Sequence, residues 1–176
     1  NEFDPIFDDL YDYCEAQQLD IDTLIHESGA AQLEINFLHG DALSRADQAF
    51  LFKRTLRETA LRHDMYATFM AKPMGGEPGS AMHVHQNVED GEGRNIFSNA
   101  DGEPSDLFYN HIGGLQKYVL PAMSIFAPNV NSYRRIARNE AAPINLKWGY
   151  DNRTVGLRVP NSAPANRRIE NRVAGA

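Results

Sequence analysis

Two histidines stand two residues apart in GSAMHVHQN, Gly79 to Asn87, in a chain that holds six histidines in all. Side chains alternate across a strand, so an extended Met82–Asn87 segment turns His83 and His85 to one side and puts Met82 and Val84 behind them. Paired imidazoles on one strand face suit a metal ion or a phosphate group; they equally suit the wet side of a half-exposed strand. Upstream, Glu27 and Glu34 bracket the Ser28-Gly29 break. Carboxylates with one imidazole form a hard donor set that fits Mg2+ or Mn2+ better than a thiolate-loving zinc site, and the plainer reading is a pair of surface glutamates. Near the end of the chain, RRIENR places Arg168, Glu170 and Arg172 on one strand face and Ile169 and Asn171 on the other. Such a ladder is either an inert array of paired surface charges or an acid that holds a cation beside arginines that hold anions. Arg153 and Arg158 add two guanidinium groups a few residues earlier, and arginine meets the charge that develops on a transferring phosphoryl group. No GxxxxGK[ST] loop occurs, so a nucleotide needs another holding device. The glycine-rich MGGEPGS could approach a phosphate with its backbone, but a lone loop of this kind is more often a plain turn.

These residues need elements to position them. Asp4 as N-cap with Pro5 at the first helical position predicts a helix that buries Ile6, Leu10, Tyr13 and Cys14 and leaves Asp8, Asp9, Asp12 and Glu15 solvated. Thr23 to Phe37 reads as extended structure broken at Ser28-Gly29, with Leu33, Ile35 and Phe37 alternating with Gln32, Glu34 and Asn36. Ser44 with Asp47 predicts a capping box that opens a long helix to about Arg62. Ala67 to Lys72 reads as a short strand ended by Pro73, and EDGEGRN from Glu89 as a turn into a strand near Ile96. A further helix is expected from about Asp106 to Phe126, bent or broken at Pro121. Helices and strands without a regular β-α-β rhythm predict an α+β domain on an antiparallel sheet.

The chain has 176 residues, 42% of them hydrophobic, enough for one domain with a sizeable core. A net charge of −7 disfavours a nucleic-acid partner. Basic residues crowd between Arg134 and Arg172 and are missing from the first twenty positions, which points to one anionic site such as a polyphosphate. Cys14 is the single cysteine, so an internal disulfide is excluded and a reducing, cytoplasmic compartment fits. No apolar run approaches the roughly 20 residues of a membrane span, and no signal-peptide pattern is visible. The glycosylation-like tripeptide at Asn152 is of a kind frequent by chance and carries little weight. The first residue is not Met and the chain stops at RVAGA, so it reads as a piece of something longer.

Taken together, HESGAAQLEINF, ATFMAKPMGGEPGSAMHVHQN, APNVNSYRRI, WGYDNRTVGLRVP and NRRIENRVAGA resemble the glutamine synthetase catalytic domain, in the family's order and spacing from Leu24 to Ala176. ATFMAKP, APNVNSYRR and RVAGA look most like the branch that contains γ-glutamylpolyamine synthetases and other glutamine-synthetase-like ligases. The resemblance implies an antiparallel curved β-sheet flanked by helices, incomplete at both ends. The family's β-grasp domain and remaining metal-binding glutamates would precede residue 1, and its closing helices would follow Ala176. It also implies a two-metal, ATP-dependent ligase: ATP phosphorylates the side-chain carboxylate of glutamate, and ammonia or an amine displaces phosphate from the γ-glutamyl phosphate. By position in the motifs, Glu27 and Glu34 match ligands of one metal, Mg2+ or Mn2+. His83 and Glu170 match ligands of a second metal near the nucleotide phosphates. His85 matches the histidine that contacts ATP, and Arg153, Arg158 and Arg168 match arginines around the transferred phosphoryl group. Arg135 and Arg172 match arginines that grip the glutamate substrate, with Gly79 the loop glycine beside it. The family forms homo-oligomeric rings with shared active sites, so residues 1–176 alone are expected to be inactive and to bind ATP weakly.

Some positions depart from the family pattern. Ammonia-using relatives carry an acidic residue two positions before the proline that follows SYRR, and here Ala141 stands there with Glu140 one earlier. A small residue at that place leaves room for a larger amine. Pro78 replaces the usual asparagine before Gly79, and Asn87 a common serine near the nucleotide. A guanidino-kinase-like phosphotransferase, on a related fold, and a non-catalytic structural or regulatory relative are the alternatives. Intact metal, phosphate and glutamate positions weigh against the latter. His26, His39, His63 and His111 read as surface or satisfied residues, and Trp148 as packing.

Overall fold

Leu10 and Cys14, one helical turn apart, are the first residues to be fully buried. They belong to α1 (Asp4–Ala16), which turns Ile6, Leu10 and Cys14 inward. The computed structural model describes residues 3–137 and 142–175, and the chain divides into two compact units, Asn1–Phe69 and Met70–Ala176. The helix enters through Phe3 and not through an Asp4 cap: Pro5 takes the first turn, where its missing N–H is no loss, and Asp4 already lies inside the helix.

In this first unit β1 (Ile21–His26) and β2 (Leu33–Phe37) form an antiparallel hairpin, with Leu24 opposite Ile35 and Ile25 opposite Glu34. Leu24, Ile35 and Phe37 pack on Leu10, Cys14, Leu19 and Phe52, so the alternate residues face away from that core. The partner of Phe37 is Phe52 on α2 (Ala42–Arg62), ring edge to ring face at 5.4 Å between centroids. Asp41, not Ser44, caps α2: its carboxylate accepts the Ser44 N–H at 3.0 Å. Ser44 is three residues into the helix, where its backbone donor is the group that a cap satisfies.

The second unit rests on a four-stranded sheet in the order β3-β6-β5-β4. Its strands are β3 (Val84–Gln86), β4 (Trp148–Tyr150), β5 (Leu157–Val159) and β6 (Ile169–Asn171). β6 runs antiparallel to both β3 and β5, whereas β4 and β5 are parallel, so the expected antiparallel sheet carries one parallel edge pair. One face of the sheet is apolar. Leu157, Val159 and Ile169 pack there with Phe97 and with Phe108 and Ile112 of α3 (Asp106–Tyr118), and Trp148 joins from the edge. α3 opens on a Ser105 cap that accepts the Phe108 N–H. Pro121 interrupts the expected long helix: α3 stops at Tyr118 and α4 (Met123–Phe126) restarts beyond it.

Two expected strands are not formed. Around Lys72, the Asn131 side chain of α5 (Val130–Arg135) takes the place of a neighbouring strand, accepting the Lys72 N–H and donating to the Lys72 carbonyl, both at 2.8 Å. Near Ile96, the Asp90 side chain gathers the N–H groups of Glu92 and Arg94. The tight turn that results pairs Glu89 with Asn95 as a single bridge. Among the described residues no helix is long and apolar enough to cross a membrane.

Candidate active site

With Leu157, Val159 and Ile169 committed to the core, the intervening residues of the same strands share the opposite face. Strand register lines them up: His85 stands opposite Glu170, Glu170 opposite Arg158, and Arg158 beside Gly149. The centre of this row is Glu170, 2% exposed. Its Oε1 accepts from Arg172 Nη1 at 2.5 Å and its Oε2 from Arg158 Nη1 at 3.0 Å. His83 Nδ1 lies 3.3 Å and His85 Nε2 4.0 Å from Oε1. The two histidines of the HxH motif therefore do face one side and meet one carboxylate. Arg168 Nε donates to His85 Nδ1 at 3.1 Å, which leaves the neutral ring its proton on Nε2.

Burial by itself would raise the Glu170 carboxyl. The Arg172 charge, the Arg158 hydrogen bond and the two imidazoles overcome it and hold the group below its ordinary value. Arg158 shows the same balance from the other side: burial opposes its charge, while hydrogen bonds to Asp151 and Glu170 raise its pKa. Asp151 is a residue that motif reading passes over. Its Oδ1 lies 2.5 Å from Arg158 Nη2, and its carboxyl is lowered chiefly by that hydrogen bond. An aspartate directly after an aromatic strand was the available signal.

Arg135 is 4% exposed. Its terminal nitrogens donate to the carbonyls of Arg172 at 2.9 Å and of Val173 and Ala174 at 3.4 Å. Burial and the neighbouring Arg172 charge lower its pKa to about 10. The geometry thus gives Arg135 a scaffold role beside the gripping role implied by the resemblance. Gly79 lies against it: a Cβ there would stand 2.7 Å from the Ala71 carbonyl oxygen and 2.8 Å from Arg135 Cγ. The backbone oxygen has little room to yield. Gly79→Ala is expected to lower stability by about 1–3 kcal/mol, checked by urea unfolding.

Arg153 is exposed in the segment that follows β4, near enough to help lower the Asp151 carboxyl. Ala141 and Glu140 lie outside the described residues. In the first unit Glu27 follows β1, its N–H bonded to the Gln32 carbonyl at 2.9 Å. With Ile25 opposite Glu34, Glu27 and Glu34 are diagonal neighbours on the outward hairpin face. Asn36 Nδ2 donates to Glu34 Oε1 at 3.2 Å. His111 and His63 are satisfied as expected, by Gln86 at 3.0 Å and Asp9 at 2.9 Å.

The donor chemistry fits a hard divalent cation: an imidazole beside an ionised, buried carboxylate in one unit, and two carboxylates on one hairpin face in the other. Among the described residues no three His, Cys, Asp or Glu side chains are grouped to hold a metal.

The family model described as "Glutamine synthetase, catalytic domain" matches residues 1–176. Gamma-glutamylputrescine synthetase PuuA of Escherichia coli K12 is 40% identical over 177 residues, covering 100% of this chain and 38% of that protein. Glutamate–isopropylamine ligase of a Pseudomonas species is 42% identical, covering 85% of this chain and 33% of its own length. A glutamine synthetase of Pyrococcus horikoshii is also 42% identical, over 86% and 34%. The solved structure of apo GmaS without ligand superposes with a TM-score of 0.84 at 29% identity, over 98% of this chain and 39% of that one. The chain therefore spans between a third and two fifths of the length of these relatives. By the match along its whole length and by its fold, this chain belongs to the glutamine synthetase catalytic-domain family.

Proposed function

We propose that the protein that contains this chain is an ATP-dependent ligase joining the γ-carboxylate of glutamate to an amine. The observation that carries the reading is the row His85–Glu170–Arg158, flanked by His83, Arg168 and Arg172, on the non-core face of the sheet. Relatives named for isopropylamine and putrescine ligation support an amine in place of ammonia, as does Ala141 at the position where ammonia users carry an acid.

In this reading a γ-carboxylate oxygen of glutamate attacks the γ-phosphorus of ATP, and ADP leaves. The amine nitrogen then attacks the acyl carbon, loses a proton and expels phosphate. Arg172 and Arg135 present positive charge to the glutamate carboxylates, and an anion there would relieve the desolvated Arg135. Arg158 and Arg168, with Arg153 beside Asp151, face the phosphoryl oxygens as their charge redistributes. His85 offers its Nε2 proton to the nucleotide, since Nδ1 is engaged by Arg168. His83 and Glu170 would hold one divalent cation and Glu27 and Glu34 another, and such cations supply charge neutralisation at the phosphate oxygens. Activity resides in the longer, ring-forming cytoplasmic protein, and residues 1–176 alone should not turn over.

The test is ADP release by the full-length protein with glutamate and a panel of amines. Release is expected only when glutamate and an amine are both present, with alkylamines or polyamines preferred to ammonia. A clear preference for ammonia overturns the amine assignment. Transfer to a guanidine acceptor, or no release with any amine, overturns the ligase.

A further inference from the structure

The resemblance gives Asp151 no role, yet this residue ends a chain of charge that runs through the site. Arg172 bonds Glu170 Oε1, Glu170 Oε2 bonds Arg158 Nη1, and Arg158 Nη2 bonds Asp151 Oδ1. The four formal charges alternate in sign and cancel. Arg158 is shared between two carboxylates, one buried and one 56% exposed at its side chain.

The backbone is fixed to make this link. Asp151 has φ +49°, in the left-handed region where aspartate and asparagine are better tolerated than other non-glycine residues. Its N–H donates to the Val159 carbonyl at 2.9 Å, which holds it beside Arg158 on the neighbouring strand. Gly149 occupies the row position next to Arg158. At that position the glycine contributes no side chain that would crowd the guanidinium.

We propose that Asp151 is a positioning residue that keeps Glu170 available to a divalent cation by retaining the outer edge of Arg158. This inference rests on the cation reading of Glu170 given above. Without Asp151, two guanidinium groups press on one carboxylate, Arg158 is free to turn both terminal nitrogens onto Glu170, and the row gains a net positive charge. Each change disfavours a cation at Glu170. An ordinary exposed ion pair would behave otherwise, since its loss changes almost nothing.

The test uses the full-length protein with Mn2+ alone, free Mn2+ being followed by electron paramagnetic resonance, and thermal unfolding in metal-free buffer as a second measurement. Asp151→Asn removes the charge and keeps a side chain suited to left-handed backbone; Asp151→Gly removes the side chain and keeps that backbone. Both are expected to raise the Kd for Mn2+ by about three- to tenfold and to leave the unfolding midpoint unchanged. Wild-type Mn2+ affinity in Asp151→Asn, while the wild-type protein binds Mn2+ and makes amide, overturns this inference alone. An equal fall in the unfolding midpoint of both variants also overturns it, by showing a merely structural residue. Absence of Mn2+ binding and of glutamate-dependent ADP release in the wild-type protein overturns the cation reading as well.

Discussion

Glu170→Gln is expected to lower the stability of the Met70–Ala176 unit by about 3–5 kcal/mol and to slow amide formation by the full-length protein at least about a hundredfold. The glutamine is nearly isosteric, so packing is spared and charge is the variable. Arg172 loses the carboxylate that it meets at 2.5 Å, Arg158 loses one of its two, and both sit mostly out of water. One amide oxygen cannot serve two guanidinium groups, and the amide nitrogen adds a donor where donors already converge. Urea unfolding read by the fluorescence of Trp148, the single tryptophan of this chain, measures the first effect. Removing both partners separates the two effects: Glu170→Gln with Arg172→Met should recover much of the stability and none of the activity.

Arg135→Lys should cost about 2–4 kcal/mol, although the charge is conserved. Arginine's fork reaches the carbonyls of Arg172, Val173 and Ala174 from the end of α5. A lysine has one nitrogen and a shorter reach, so it leaves buried acceptors unmet. These carbonyls belong to the strand exit that carries Arg172, so the change should also raise the KM for glutamate about tenfold with a smaller effect on kcat. Unchanged stability would show that the three carbonyl bonds contribute little. An unchanged KM would remove Arg135 from the substrate site.

Much of the site could be read from strand periodicity. RRIENR placed its charges correctly because Ile169 had to enter the core and fixed the phase for Glu170. The same logic turned His83 and His85 to one side. What escaped depended on side-chain contacts that strand and helix periodicity does not report. Asp41 displaced a plausible capping box because a carboxylate three residues ahead of Ser44 reached its N–H first. The Lys72 segment looked like a strand, but Asn131, 59 residues away, meets its backbone with a side chain. Asp151 has no motif of its own: it meets Arg158 only because β4 and β5 pair in parallel and bring the two together.

Positional isotope exchange in ATP tests the phosphoryl chemistry most directly. The full-length protein is incubated with ATP that carries 18O in the β,γ-bridge, with glutamate and a divalent cation, and without amine. Scrambling of the label into the β-nonbridge positions is expected only when glutamate and the cation are both present, and it should vanish in Glu170→Gln. Amide formation without any scrambling in wild type, or scrambling that survives in Glu170→Gln, would contradict a phosphoryl transfer organised by this row of charges.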